Sequence, residues 1–485
     1  MTRQVVVPPL FDPSLELLRI PGDEVLDVNA SFFSRLTGTT HLRRLTDAAE
    51  EGRFSNERTH DALLVTAAAA VLARGRHDLG RMRAIDLVLR LSSVDDPALR
   101  LSSRRLEVVG GTTQRGLDIV SAAAATRLFR RESDDVRTLL YGQRVHLLIE
   151  NYQQLPASAM IMEALTGSPV VLCGSFAAAH RAALEALPPF SQAVGFDSWL
   201  PSWQLRKEWA PRVPEVRWIR RARDWSAGVP WSGRLEPEVA ALFPPEAWED
   251  CVGATLTISD LRSWASVAGT NGIRTDLRPL LRRVAGNHLA VELLTGAPGV
   301  SLRHTSSAAR RLFVEAGPRL NLISRFRLPA MPGAPVASTW DGVPVRRDIQ
   351  ADHDFARWHG FTVPGSEGSG IDAADLTALR RRLSARTDLH PARFAASSLA
   401  PPSCPPLWDS SAALVNPAGG TDGPSRETFL VNLRTGDAAK FDPRLVHVVR
   451  RLEAGDSTCL DVLSNTARRR VAGQLARAGV MGIAT

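Results

Sequence analysis

Three consecutive segments restrict the architecture of this chain more than anything else in it. Val145-His146-Leu147-Leu148-Ile149-Glu150 is an apolar run of strand length, Ala157 to Leu165 has a helical pattern, and Pro169-Val170-Val171-Leu172-Cys173-Gly174 is a second apolar run. Strand, helix, strand at this spacing is a βαβ unit. Strands joined in this way run parallel, and a parallel sheet needs helices on its faces, so the chain belongs to the α/β class. Upstream, Val5-Val6-Val7 is closed by Pro8-Pro9, and Glu24 to Val28 ends at Asn29; both read as further strands. Between Thr46 and Arg130 apolar residues recur at three- and four-residue spacing, which predicts helices.

At 485 residues the chain exceeds one ordinary core, and domains of ~100–200 residues are the norm. The longest apolar stretch, Ala62 to Ala73, falls short of the ~20 residues a membrane span requires. The N-terminus carries a strand-like run in place of the long apolar region of a signal peptide, so a cytoplasmic protein is expected. Four widely separated cysteines, Cys173, Cys251, Cys404 and Cys459, fit reduced, buried thiols. The formal charge of +8 raises a nucleic-acid reading. All but two of the 59 basic residues are arginine, the exceptions being Lys207 and Lys440, and they are interleaved with acids as on a solvated surface.

The expected organisation follows from shifts in pattern. Residues 1–198 form an α/β domain. Residues 199–254 hold seven of the eleven tryptophans among prolines and arginines, and read as a connector in which indoles anchor a core. Residues 255–394 resume βα periodicity, 395–427 are a Pro/Ser/Gly/Ala-rich linker, and 428–485 are short strands followed by helices.

Three blocks in this order resemble the cobalamin-binding radical S-adenosylmethionine (SAM) enzymes that modify ribosomally made peptides. The first is Val5 to Pro9 with Asp27-Val28-Asn29 and Ser31-Phe32-Phe33. The second is Val170 to Ser175 with Val194-Gly195-Phe196-Asp197. The third is Leu289 to Gly296, followed by Glu315-Ala316-Gly317, Leu322 to Leu328 and Pro332-Gly333. The resemblance implies a Rossmann-like cobalamin-binding domain and a partial βα barrel. It also implies that Gly174, Ser175, Glu292, Thr295 and Gly296 would line cobalamin or SAM if either is retained. The chain departs from that family in its sulfur. A radical SAM cluster needs three closely spaced thiolates, and the matching place, before Leu256, offers Cys251 alone. An iron–sulfur cluster is therefore not expected. The segment after Glu150 carries Tyr152, Gln153 and Gln154 where a cofactor-lined loop often has small residues, which argues for a vestigial domain with no cofactor.

The last segment carries the functional argument. Thr428 to Leu433 alternates Phe429, Val431 and Leu433 on one face, Arg434 to Asp437 turns, and Ala438 to Phe441 returns as a partner strand. Asp442-Pro443 starts a helix with Leu445, Val448, Val449 and Leu452 on one face. Ser457 starts a shorter one, and a third runs from about Thr466 to Ala478. A hairpin with three helices is a small winged-helix arrangement. Asn432 to Gly436, Phe441-Asp442-Pro443, Leu452 to Gly455 and Leu475 to Val480 resemble the pyrroloquinoline-quinone peptide-chaperone fold, a peptide-recognition element. The resemblance implies that a leader peptide adds as a strand along Ala439, Lys440 and Phe441, beside a helix face holding Arg469, Val471 and Leu475. A structural cap and a DNA-binding winged helix, using Arg468-Arg469-Arg470 on phosphates, are the competing readings.

Other motifs carry less. His353 and His359 flank Asp354 but share neither a helix face nor a strand side. Pro364 to Gly370 lacks the Lys-Ser/Thr ending of a phosphate loop. No catalytic nucleophile can be named. The expected role is a precursor-peptide-binding accessory protein, a pseudoenzyme scaffold working with a partner modifying enzyme and no membrane. A cobalamin- or SAM-dependent peptide methyltransferase without a radical, and a DNA-binding regulator, stand as alternatives.

Overall fold

The computed structural model describes residues 3–11, 18–19, 23–197 (except 56, 76–78 and 104), 204–205, 217–219, 222–229, 231–235, 237–259, 289–296, 298, 320–325, 328–330, 335–340, 342–365, 407–408, 411–416, 427–433, 436–454, 456–477 and 481–482. It is a mixed α/β protein, as the βαβ pattern predicts, and it divides into two compact units. The first comprises 1–212, 351–356 and 410–451; the second comprises 213–350, 357–409 and 452–485.

The first unit is built on five parallel strands: β1 (Gln4–Val7), β2 (Glu24–Asp27), β3 (Val145–Leu148), β4 (Val170–Cys173) and β5 (Gly195–Phe196). Their order across the sheet is β2-β1-β3-β4-β5, and every neighbouring pair is parallel. Val5, Val6 and Val7 are all buried, as are Val145, Leu147 and Leu148. That is why these strands read as continuous apolar runs in place of alternating ones. The chain between β2 and β3 makes α1 (Val28–Thr37), α2 (Thr39–Glu50), α3 (Arg58–Ala73), α4 (Leu79–Ser92), α5 (Gly116–Ala125) and α6 (Arg130–Leu140). A short antiparallel pair, Leu99–Leu101 with Leu106–Val108, lies among them. Asp27 caps α1 by accepting the Ala30 N–H at 2.8 Å. α7 (Leu155–Ala164) is the crossover between β3 and β4. An ion pair ties α1 to α6: the Arg35 guanidinium donates to both Glu132 oxygens at 2.6 and 3.0 Å and to the Leu128 carbonyl at 2.8 Å. Glu132 is 2% exposed, and that fork satisfies both of its oxygens.

In the second unit five strands run parallel in sequence order: β6 (Arg217–Ile219), β7 (Trp231–Leu235), β8 (Cys251–Ser259), β9 (Leu289–Thr295) and β10 (Leu320–Arg325). Each crossover steps the same way, the winding of a barrel segment. The parallel sheet begins earlier than the sequence pattern indicates. Residues 199–254, read as a connector, supply β6, β7 and the start of β8. Two of its indoles anchor a core: Trp231 is fully buried, stacks on Phe243 at 5.0 Å, meets the buried Trp248 at 5.4 Å and donates to the Ala247 carbonyl at 2.5 Å. Beyond Arg325 the parallel winding stops. Leu328–Pro329, Trp358–Thr362, Val343–Asp348 and Ala337–Trp340 form an antiparallel sheet in that order.

A three-stranded antiparallel sheet completes the first unit: β11 (Ala412–Val415), β12 (Thr428–Asn432) and β13 (Asp437–Phe441), in that order. The expected linker thus contributes a strand, β11. Ala413, Val415 and Val431 join the core of α1–α4, with Phe429, Leu433 and Ala438 packed against it. Alanines on α3 allow the sheet close approach, and the Arg74 side chain at its end donates to the Ala412 carbonyl at 2.6 Å. Ala412, Leu430, Asn432 and Phe441, on the opposite face, are also buried. α8 (Val446–Glu453) follows, then α9 (Asn465–Arg477), the latter in the second unit.

Candidate functional site

An open parallel sheet takes its ligand at the carboxyl ends of its strands, in the crevice where successive crossovers change direction. In the first unit that point lies between β1 and β3. The chain leaves β1 toward β2 on one side, then returns past it to β3 on the other. The residues gathered there are Pro8 to Phe11 after β1, Ile149 to Gln154 after β3, and Gly174 and Ser175 after β4.

Gln154 sits at the centre of this group and is fully buried. Its amide nitrogen donates to the Pro8 carbonyl at 3.3 Å and the Leu148 carbonyl at 3.2 Å, bridging the ends of β1 and β3. Its amide oxygen accepts the backbone N–H of Glu150 at 2.7 Å and of Asn151 at 3.3 Å. Two donors and two acceptor positions are the whole capacity of a glutamine amide. Asn151 works alongside it, donating to the Phe11 carbonyl at 2.9 Å and accepting the Gln153 N–H at 2.8 Å. Asn29, at the start of α1, accepts the Phe11 N–H at 3.0 Å. Leu10 is held at φ +67° within this loop, with its side chain buried.

Gly174 and Ser175 complete the same edge. Gly174 has φ +102°, and a Cβ there would lie 2.6 Å from the Ile149 carbonyl oxygen. Glycine is needed because the loop after β3 comes down onto it. Ser175 is taken by Glu150: its N–H donates to Glu150 Oε2 at 3.1 Å, and its hydroxyl donates to the same carboxylate. Beside them, burial together with the Asp197 and Glu150 charges pushes the Cys173 thiol well above its ordinary pKa. Burial also lowers His146 on β3.

In the second unit Glu292, Thr295 and Gly296 lie along the carboxyl half of β9 and just past it. Glu292 is 6% exposed and Gly296 has φ +77°. The structure therefore divides the five residues implied as cofactor-binding: Gly174 and Ser175 are in one unit, the other three in the other. Cys251 opens β8 at its amino end, and the sequence holds no cysteine from there to Cys404. Every loop at the carboxyl ends of β6 to β10 is thus without a thiol, and this donor set does not fit a three-thiolate cluster. Cys404 lies outside the described residues.

The six residues implied as peptide-binding divide likewise. Ala439, Lys440 and Phe441 are on β13, the outermost strand of the small sheet, paired only through β12 among the described residues. Lys440 is exposed and ion-paired with Glu427, whereas Phe441 is 1% exposed and belongs to the core. On α9 Val471 and Leu475 are fully buried one turn apart, while Arg469 is exposed. His353 and Asp354 do not present a metal pair. The Asp354 carboxylate accepts the Gly116 N–H at the start of α5 at 2.8 Å, and the neighbouring Phe355 is buried beside Phe176 at 5.5 Å.

Gln154, Asn151 and Asn29 were not singled out as site residues in the sequence, although Asn151-x-x-Gln154 has the spacing of a capping box, which the structure forms. Among the described residues no helix is long and apolar enough to cross a membrane. No family model matches the chain, and no curated protein does. Among solved structures it is similar to TsrM, a radical SAM methyltransferase from Kitasatospora setae with cobalamin and a four-iron, four-sulfur cluster bound. That likeness has 12% identity and a TM-score of 0.24, and covers 78% of this chain and 91% of that one.

Proposed function

We propose that this chain is a precursor-peptide-binding accessory protein, which takes an extended peptide segment as a fourth strand on β13 and holds it for a partner modifying enzyme. The observation that carries this reading is the position of β13: it is the outer strand of its sheet and pairs with no described strand other than β12. Residues on both faces of its sheet are buried, which fixes the sheet in the core while β13 remains its outermost described strand. The absence of closely spaced cysteines supports a role without radical chemistry.

Magnitudes bound the affinity. A five-residue strand turns about two or three residues outward, offering roughly five backbone hydrogen bonds at a net ~1 kcal/mol each. About 5 kcal/mol corresponds to a dissociation constant on the order of 0.1 mM. Micromolar binding therefore needs a further ~3 kcal/mol from side chains of the peptide.

The test is isolation of the tagged protein from its native host at moderate salt, with mass spectrometry of what accompanies it. Proline at Ala439 and proline at Lys440 are the informative variants. Successive residues of a strand point their N–H groups to opposite sides, so one variant removes an outward donor and the other a bond to β12. The expected result is a small ribosomal peptide, lost in the outward variant while the sheet stays folded. Recovery of DNA, released steeply by salt, would replace this reading with a regulator.

A further inference from the structure

The carboxyl edge of β1–β5 is where the sheet order places a ligand, yet the side chains of Gln154, Asn151 and Ser175 there are already engaged within the chain. Gln154 spends both donors on the Pro8 and Leu148 carbonyls and its oxygen on the Glu150 and Asn151 N–H groups. The Ser175 N–H and hydroxyl, at the opening of the 175–179 turn of helix, face the Glu150 carboxylate, an anion supplied by the protein itself. The Ile149 carbonyl accepts the Ala177 N–H at 3.2 Å through the space that Gly174 leaves by lacking a Cβ. The three loops after β1, β3 and β4 are thereby stitched to one another.

We infer that this edge is a self-occupied structural knot: Gln154 and Glu150 stand where a cofactor would sit, and the switch point takes neither cobalamin nor SAM. A ligand entering between β1 and β3 would have to displace the Gln154 amide. It would also have to satisfy two carbonyls and two N–H groups in its place. A ligand approaching Ser175 with phosphate or carboxylate oxygens would meet the Glu150 charge. This inference concerns a different border from β13 and holds or fails independently of peptide binding.

Hydrogen exchange of the full-length protein, read by mass spectrometry, tests it. The probes are hydroxocobalamin and, separately, SAM, each added anaerobically. The amides of Leu10 and Phe11 (the reporters of the 8–11 segment), 149–154 and 174–177 are expected to exchange at the same rates with and without either probe. Gln154→Ala is expected to speed exchange of the same three segments by about tenfold or more, because Gln154 bonds the loops after β1 and β3 directly and fixes Glu150, which in turn holds Ser175. Gln153→Ala serves as the neighbouring control and leaves the 8–11 and 174–177 segments unchanged. Slowed exchange in these segments with either probe would overturn the inference. So would unchanged exchange in Gln154→Ala.

Discussion

The first unit has two borders at which a sheet could receive something, and they are finished in opposite ways. At the carboxyl edge of β1–β5 a loop close in sequence folds back, and Gln154, Asn151 and Glu150 consume the backbone groups that a ligand would use. At the outer side of β13 no described strand pairs with the backbone, and the Lys440 side chain reaches to Glu427. A charged residue on an outer strand is also a common guard against unwanted pairing, so the open border is guarded as well as available. The difference teaches that receptivity belongs to the last layer of side chains. The β2-β1-β3-β4-β5 order alone designates the carboxyl edge, and the side chains there close it.

The sharpest way to break the comparison is at Phe441. Phe441 sits on the strand with the open border yet is 1% exposed, so Phe441→Asp places a carboxylate in the core. The expected loss is about 4 kcal/mol or more, seen as lost exchange protection in β11, β12 and β13. Protection retained in Phe441→Asp would mean that the ring belongs to the border and that the two borders differ less than described. A smaller effect tests the closed edge. Gly174→Ala combines a positive φ with a Cβ 2.6 Å from the Ile149 oxygen, whereas Gly142→Ala has φ +80° and open space around it. The first is expected to cost ~3 kcal/mol and the second ~1 kcal/mol by urea unfolding. Equal costs would show that the loop after β3 is not pressed onto Gly174.

Much of the fold was legible because burial on both faces leaves a direct mark. Val5 to Val7, Val145 to Leu148 and Val170 to Cys173 are near-continuous apolar runs, and they are the three central strands of the five-stranded first sheet. β6 and β7 were hidden: they are short, and their Trp- and Arg-rich composition imitates an irregular connector. β11 was hidden for a similar reason, being four residues long beside a Pro/Ser/Gly-rich stretch that dominates any compositional reading. The hairpin β12–β13 was legible through its alternation and turn, but its packing against α3 was not, since α3 lies more than 300 positions earlier and alanine-rich helices carry no address. At the carboxyl edge Tyr152, Gln153 and Gln154 stood out as unsuited to a cofactor loop. That one of them would bridge β1 and β3 depends on strand order, which sequence spacing does not specify.

The smallest expected effect separates both borders from the helical layer behind them. His41 on α2 is partly buried, 2.7 Å from the Ser92 hydroxyl on α4. Burial first, then the Arg35 and Arg44 charges, lower its pKa from 6.5 to about 4. The unfolded chain therefore binds a proton between pH 6.5 and 4 that the folded protein does not. Stability from this group is full above pH 6.5, falls as pH drops toward 4, and is flat below. The ring is only half-buried, so solvent screening reduces the contribution to on the order of 1 kcal/mol. His41→Gln, which keeps a neutral hydrogen-bonding group beside Ser92, should reduce the loss of stability between pH 7 and pH 4.5 by that amount. His146 on β3, also lowered by burial, accounts for slope of the same sign that persists in the variant. Exchange followed over the same range should then rise in α2 and α4 in the wild type and not in His41→Gln, with β13 and the loop 149–154 unaffected by the substitution. If 149–154 responds to His41→Gln, the closed border is held by the helical layer and not by Gln154.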